Sequence, residues 1–135
     1  MNSQPLMTVR IVADKAQPLG AVPHGTRTVV PVVGGDFEGP RLRGRIVPGG
    51  GDWLLLRPDG VLELDLRITL ETDDHALIDM RFLGLRHGPP DGYYFRTVPR
   101  FETSAENYAF LNRIIAIGVG ETRPDGAVHR IDEIL

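Results

Sequence analysis

From residue 61 to 71 apolar and polar positions alternate without a break, with Leu62, Leu64, Leu66, Ile68 and Leu70 on one side and Glu63, Asp65, Arg67 and Thr69 on the other. A period of two is the pattern of a β-strand that lays one face on a core. The next segment repeats it, Ile78, Met80 and Phe82 against Asp79 and Arg81, so these two strands are expected to be neighbours. Apolar runs of similar length recur along the chain between Gly-, Pro- and Asp-rich punctuation. They predict strands near 6–13, 26–33, 41–47, 53–57, 61–71, 76–85, 93–98, 113–119 and 127–134. The clearest hairpin joins 53–57 to 61–70 through Pro58-Asp59-Gly60, where Pro presets the turn and Gly accepts a positive φ. Arg-Pro-Asp-Gly returns at 123–126 between two further strands, a shared turn chemistry rather than a repeat.

One helix is expected, near 104–112. Thr103-Ser104-Ala105-Glu106 fits a capping box, and Tyr108 and Leu111 follow at helical spacing. Many short antiparallel strands with one short helix predict an all-β fold, a single antiparallel barrel of about 8–10 strands, with a sandwich as the alternative. The pattern leaves open which face of 61–71 looks inward. A solvated charged face would carry surface ion pairs worth about 0–1 kcal/mol each. A polar face turned inward would make a lumen of carboxylates and guanidinium groups. Leu62, Leu64 and Leu66 would then need cover from the helix or a second subunit, which a homodimer supplies.

With 135 residues the chain is one domain, 1–135, and at net charge -3 it has no basic excess for phosphates or anionic lipid, so neither nucleic acid nor membrane is an expected partner. Gly and Pro, 16 and 11 residues, favour turns and short strands over long helices. Cysteine is absent, which removes disulfides and thiolate chemistry. No secretory leader and no apolar run of about 20 residues is present, so the cytoplasm is the expected location.

The Gly-rich stretches 34–40 and 48–53 lack the patterns of phosphate-binding loops and read as turns and bulges that bend strands. His24, His75, His87 and His129 are scattered without ligand spacing, and no metal is expected. Ser104 sits in the helix start and no nucleophile elbow surrounds it.

Taken in order, the motifs GGxxxGPxLxG (34–44), PGGxDW (48–53), RxDGxxxLDxR (57–67), TxDxALI (72–78), YFRTxPxFE (94–102) and YxxLN (108–112) form a series. In this series the chain resembles the small bacterial and fungal proteins grouped as domain-of-unknown-function family 3237, over residues 7–134. It departs from them at Asp73-Asp74-His75, where the family more often has Asp-Gly. The resemblance implies an antiparallel β-barrel, often dimeric, with no settled activity. Matching its motifs are Asp52, Trp53, Asp65, Arg67, Phe101, Glu102, Tyr108 and Asn112, which are candidate pocket residues.

Carboxylates beside an Arg in a partly apolar cavity point to cofactor-free proton transfer on a small aromatic or carbonyl compound, as in an isomerase, cyclase or lyase. Asp65 is the expected acid–base group, Arg67 its electrostatic partner and Glu102 the second carboxylate. Tyr94 or Tyr108 would donate to an oxyanion, and Trp53 would be a wall for a planar ligand. Asp52, Phe101 and Asn112 complete the binding set. The alternative is a non-catalytic carrier of an apolar or aromatic ligand, or a structural or interaction module whose Asp/Arg/Glu cluster is a buried network.

Overall fold

A computed structural model describes residues 1–135 as nine antiparallel strands and one 3₁₀ helix. The strands are β1 (Ser3–Ala13), β2 (Gln17–Val22), β3 (Gly25–Glu38), β4 (Arg43–Leu56), β5 (Leu62–Thr72), β6 (Leu77–His87), β7 (Tyr94–Glu102), β8 (Ile115–Arg123) and β9 (Gly126–Ile134). From β3 to β9 each strand pairs with its chain neighbour, β9 pairs with β1, and β1 returns to β3, so eight strands close a barrel. The barrel, not the sandwich, is the architecture. The ninth strand, β2, continues along β3 where β1 leaves off, at Gln17↔Val29 after Ala13↔Val32. No segment of the sequence reading anticipated it: Gln17–Val22 has one long apolar side chain per turn signal and no alternation. Its free edge is six residues long and carries Pro18, features that discourage pairing with another chain.

An eight-stranded barrel encloses an interior just wide enough for side chains to fill. Leu64, Leu66, Ile68 and Leu70 of β5, Ile78, Met80 and Phe82 of β6, and Phe95 of β7 fill it and are buried. The inward-facing polar lumen is therefore overturned: Glu63, Asp65, Arg67 and Thr69 lie on the outer face. Each apolar side chain gains about 1.5–3 kcal/mol by burial, whereas turning that strand over would bury charges at several kcal/mol each. Leu62, Leu64 and Leu66 accordingly need no second subunit to cover them.

The Gly-rich stretches lie within strands as bends at 34–38 and 48–53, and Gly39-Pro40 opens the connection from β3 to β4. β3 runs through Gly34 and Gly35 with a register shift between Val32 and Asp36, and β4 joins the segments 41–47 and 53–57 through a shift between Val47 and Gly51. At the second bend Gly49 has φ +119°, and a Cβ on Gly50 would stand 2.4 Å from the Arg67 carbonyl oxygen, so neither position accepts a side chain. The Pro58-Asp59-Gly60 hairpin forms as expected, with Gly60 at φ +84° donating to the Arg57 carbonyl at 3.0 Å.

One end of the barrel is closed by the helix Glu106–Arg113, from which Leu111 is fully buried and Tyr108, Phe110 and the following Ile114 pack on the core. The expected capping box does not form. Ala105, in an extended conformation, precedes the helix without a side-chain cap; Thr103 Oγ1 donates to the Leu77 carbonyl at 2.8 Å and accepts from the Ala105 N–H at 3.1 Å. Tertiary packing to β6 outcompetes the local cap, and the turn winds as 3₁₀.

Candidate functional site

The other end of the barrel is open. Between the ends of β1, β3, β4, β5, β6, β7, β8 and β9 lies a cavity of about 150 Å³ walled mainly by apolar side chains, among them Ile11, Val30, Val32, Leu54, Leu64 and Phe95. Into this apolar wall three ionisable residues are set: Asp52 from β4, Arg86 from β6 and His129 from β9. A dry cavity of this size accepts a benzene-sized ring.

The bend in β4 places Asp52. Val47 faces Thr69 and Gly51 faces Arg67, so four steps along β4 match two along β5. The two extra residues keep Ile46 and Asp52 on the same inward side and set Asp52 opposite Leu66 instead of Leu64. Asp65 then finds no ladder partner on β4, and Asp52 Oδ1 accepts its backbone N–H at 3.1 Å. Oδ2 makes no hydrogen bond within the chain. Burial in the apolar wall pushes the Asp52 carboxyl up to about 7, against the lowering effect of the Asp65 N–H, with the nearby Asp65 charge adding a smaller upward push. At neutral pH it is poised between acid and base.

His129 lies between Phe82 and Phe95, at ring-centroid distances of 4.8 and 5.2 Å. Its Nδ1 is buried without a hydrogen-bond partner, and burial pushes the ring down to about 4, so it is neutral at physiological pH. The room for Phe95 comes from Gly120, where a Cβ would stand 2.7 Å from the ring. Arg86 makes no side-chain hydrogen bond or ion pair; its guanidinium lies over Tyr93 and Phe95, 5.3 and 5.9 Å from their centroids. An uncompensated cation beside an apolar cavity is a ready partner for an anionic oxygen.

Of the residues singled out from sequence, Asp52 alone lines this cavity. Asp65, Arg67, Phe101 and Glu102 do come together, but along an open groove on the outer face of β5, β6 and β7. Trp53 points outward, 39% exposed, with the Arg67 guanidinium 5.8 Å from its ring. Tyr94 is also outside, stacked on His87 at 5.0 Å. Tyr108 and Asn112 belong to the closed end. The Tyr108 hydroxyl donates to Asp74 Oδ1 at 2.7 Å, and Asn112 clamps Thr103 through its N–H and carbonyl, both at 2.9 Å. Arg86 and His129 were not expected as site residues. The signal for them was parity: each stands at an inward position of its strand, after Ile78, Met80, Phe82 and Gly84 in one case and beside Ile131 in the other, where a polar side chain breaks an apolar face.

Comparison with known proteins agrees with this architecture. The family model described as "Protein of unknown function (DUF3237)" matches residues 1–134. The UPF0311 protein RPA1785 of Rhodopseudomonas palustris is 32% identical, over 86% of this chain and 85% of its own. A UPF0311 protein of Clostridium acetobutylicum is 30% identical over 99% and 94%. Among solved structures, that of RPA1785, a conserved protein of unknown function, superposes with a TM-score of 0.95 at 29% identity, covering 99% of this chain and 97% of the other. A β-barrel-like protein of Acinetobacter baumannii does so at 0.93 and 31%, covering 98% and 94%. An enzyme from Penicillium herquei shares the fold at a TM-score of 0.80 and 20% identity, covering 99% and 94%. With the match running from the first strand through the last, the chain belongs to the DUF3237 family of proteins of unknown function.

Proposed function

We propose that the open end of the barrel binds a small aromatic or carbonyl compound and that Asp52 moves a proton on it without a cofactor, as an isomerase, cyclase or lyase does. The observation that carries this reading is a carboxyl held near neutrality inside an apolar cavity that also contains an unpaired guanidinium. Asp52 Oδ2 takes a proton from a carbon next to a carbonyl, or from a phenol. The resulting enolate or phenolate oxygen is held by Arg86, and Asp52 returns the proton to another atom of the same molecule. His129, neutral at this pH, offers a hydrogen bond to the ligand. A volume of about 150 Å³ fits one ring, so a larger ligand leaves its remainder at the mouth, beside Ala13, Thr122 and Gly126. Asp65 and Arg67 act in this reading only from outside, Asp65 through the backbone N–H that anchors Asp52.

The test is a panel of phenols, aromatic carboxylates, lactones and enones, screened for binding by calorimetry and for deuterium uptake from solvent by NMR. Exchange catalysed by the protein and lost in folded Asp52→Asn supports the reading. Undiminished exchange in that variant, or no binding across the panel, sinks it. The Asp52–Asp65 hydrogen bond favours one other reading, in which the carboxyl closes a gap in the β4–β5 ladder and the cavity carries a ligand without turnover. Binding without exchange would select it.

A further inference from the structure

The cavity has two polar ends with an apolar belt between them. Arg86 stands at the mouth: it is the last residue but one of β6, opposite Leu62, the first residue of β5, and opposite Phe95, the second residue of β7. Asp52 lies opposite Leu66, four residues farther along β5, or about 13 Å of strand at about 3.3 Å per residue. Leu64, between these two rows, also lines the cavity. Asp52 and Arg86 thus share one cavity without an ion pair or hydrogen bond between them, and the guanidinium rests over Tyr93 and Phe95. Tyr93 is fixed in turn, its hydroxyl accepting the Thr122 N–H at 3.0 Å. The guanidinium is therefore held in place with its N–H groups unspent. Burial keeps a proton on Asp52 up to about 7 and leaves His129 neutral, so Arg86 carries the formal charge of the cavity.

We propose, resting on the reading of this cavity as the ligand site, that it selects monoanionic single-ring compounds, with the anionic group at the mouth on Arg86 and the ring directed down the apolar belt toward Asp52. The class comprises ring carboxylates, and phenols or enols acidic enough to ionise beside a guanidinium. A carboxylate accepts two parallel N–H groups from an arginine, the strongest pairing open to it. A neutral ring amide leaves the cation unanswered, a cationic ring is repelled, and a dianion brings an unpaired charge against apolar walls. Ionised Asp52 would face the charge of the ligand across one ring in a low-dielectric wall, so the anion is held best while Asp52 keeps its proton. The other charged or titratable groups around Asp52 are Asp65 on β5, paired with Arg67 on the outer face, Arg86 on β6 and His129 on β9. From β1, β3, β7 and β8 the cavity receives Ile11, Val30, Phe95 and Thr122, none of them charged. Affinity for the anion should accordingly follow the ionisation of Asp52.

The experiment is an NMR titration of the methyl-labelled full chain with benzoate, benzamide and benzamidinium, which share a shape and differ in charge, and with toluene as the uncharged ring. Benzoate is expected to bind on the order of tenfold or more tighter than benzamide, with benzamidinium weakest. It should shift the methyl signals of Leu64 and Val30 inside the barrel and not those of Leu83 and Val98 outside. Arg86→Met should bring benzoate down to the level of benzamide, and Arg86→Lys should recover part of the difference. Between about pH 6 and about pH 9 benzoate should weaken by about tenfold or more in the wild type and stay constant in Asp52→Asn, each variant checked for folding by circular dichroism. Benzamide or toluene bound in the cavity as tightly as benzoate would overturn the charge selection while leaving the cavity as a ligand site. Benzoate seated only on the outer face, undiminished by Arg86→Met, or weakened by rising pH equally in Asp52→Asn would overturn it too. Failure of all four compounds to bind would sink both this proposal and the reading of the cavity on which it rests. If Arg86→Met does not fold, the ratio of benzoate to benzamide in the wild type decides.

Discussion

Asp52→Asn is the most informative perturbation, because the expected effect has a sign, a size and a pH window. In the unfolded chain this carboxyl gives up its proton near 3.8; in the barrel it does so near 7. Between those values the native state holds the extra proton, so stability falls as the pH rises. The loss amounts to about 4 kcal/mol at about 1.36 kcal/mol per pH unit. His129 works in the opposite direction. Its ring protonates near 6.5 when unfolded and near 4 when buried, so the unfolded chain holds the extra proton and stability is lost as the pH falls through that interval, by about 3 kcal/mol. In the wild type the two slopes nearly cancel between about 4 and 6.5, leaving a fall of about 1 kcal/mol on approaching pH 7. Asparagine keeps the acceptor for the Asp65 N–H and removes the titration. The stability of Asp52→Asn minus that of the wild type should therefore climb by about 4 kcal/mol from pH 4 to above 7. Urea unfolding of both proteins at closely spaced pH values measures this. Groups common to both, such as Asp59 and Glu133, whose partners hold them below the usual carboxylate range, cancel in the difference. A difference that stays flat with pH would mean that Asp52 ionises like a surface carboxylate, and the acid–base role argued for it would fall.

The remaining expectations concern which parts of the barrel matter for what. Arg86→Met should weaken a phenolate or enolate-forming ligand by about tenfold or more in calorimetry, the loss of one charge-assisted hydrogen bond, while Arg67→Met, on the outer face, should leave affinity unchanged. Gly120→Ala drives a methyl group into the Phe95 ring and should cost about 1–3 kcal/mol in urea unfolding. Leu111→Ala removes the fully buried side chain of the closing helix and should cost about 2–5 kcal/mol, with ligand binding at the opposite end retained in the folded fraction. Fluorescence of the single tryptophan should stay silent when the cavity fills, because Trp53 lies on the other side of the sheet wall; a saturable shift would show that the ligand sits outside the barrel.

Alternation made the strands legible. β5 and β6 are within a residue or two of the segments read from the sequence, and the Pro-Asp-Gly turn between β4 and β5 is formed by the three residues named for it. The Gly-rich bends were read correctly in kind, as distortions of strands, but were also taken as interruptions, which split β4 in two and cut β3 short. In β4 the two inserted residues preserve the parity of Ile46 and Asp52, but Gly49, Gly50 and Gly51 contribute no side chain by which to follow it. β2 escaped because its pairing is a continuation of β1 along β3, a consequence of closure that no local pattern encodes. The helix start was misread for a related reason: the Thr103 hydroxyl is spent on the Leu77 carbonyl of another strand.

The cavity was harder to read than the fold because charge density drew the reading to the outer face of β5 and β6. Asp65, Arg67, Asp79 and Arg81 draw attention in the sequence by their number and regularity, yet regularity is how a strand advertises its solvent face. Within a closed barrel the informative residue is the irregular one. β6 offers Ile78, Met80, Phe82 and Gly84 to the interior and then Arg86; β9 offers His129 one step along its inward face from Ile131; β4 offers Ile46 and then, across its bend, Asp52. Each breaks an apolar series at a place where burying a polar group without full pairing costs about 1–3 kcal/mol. All three breaks fall at the same end, the end the helix does not close. Three such exceptions gathered in one cavity are the reason for proposing that end of the barrel as the site.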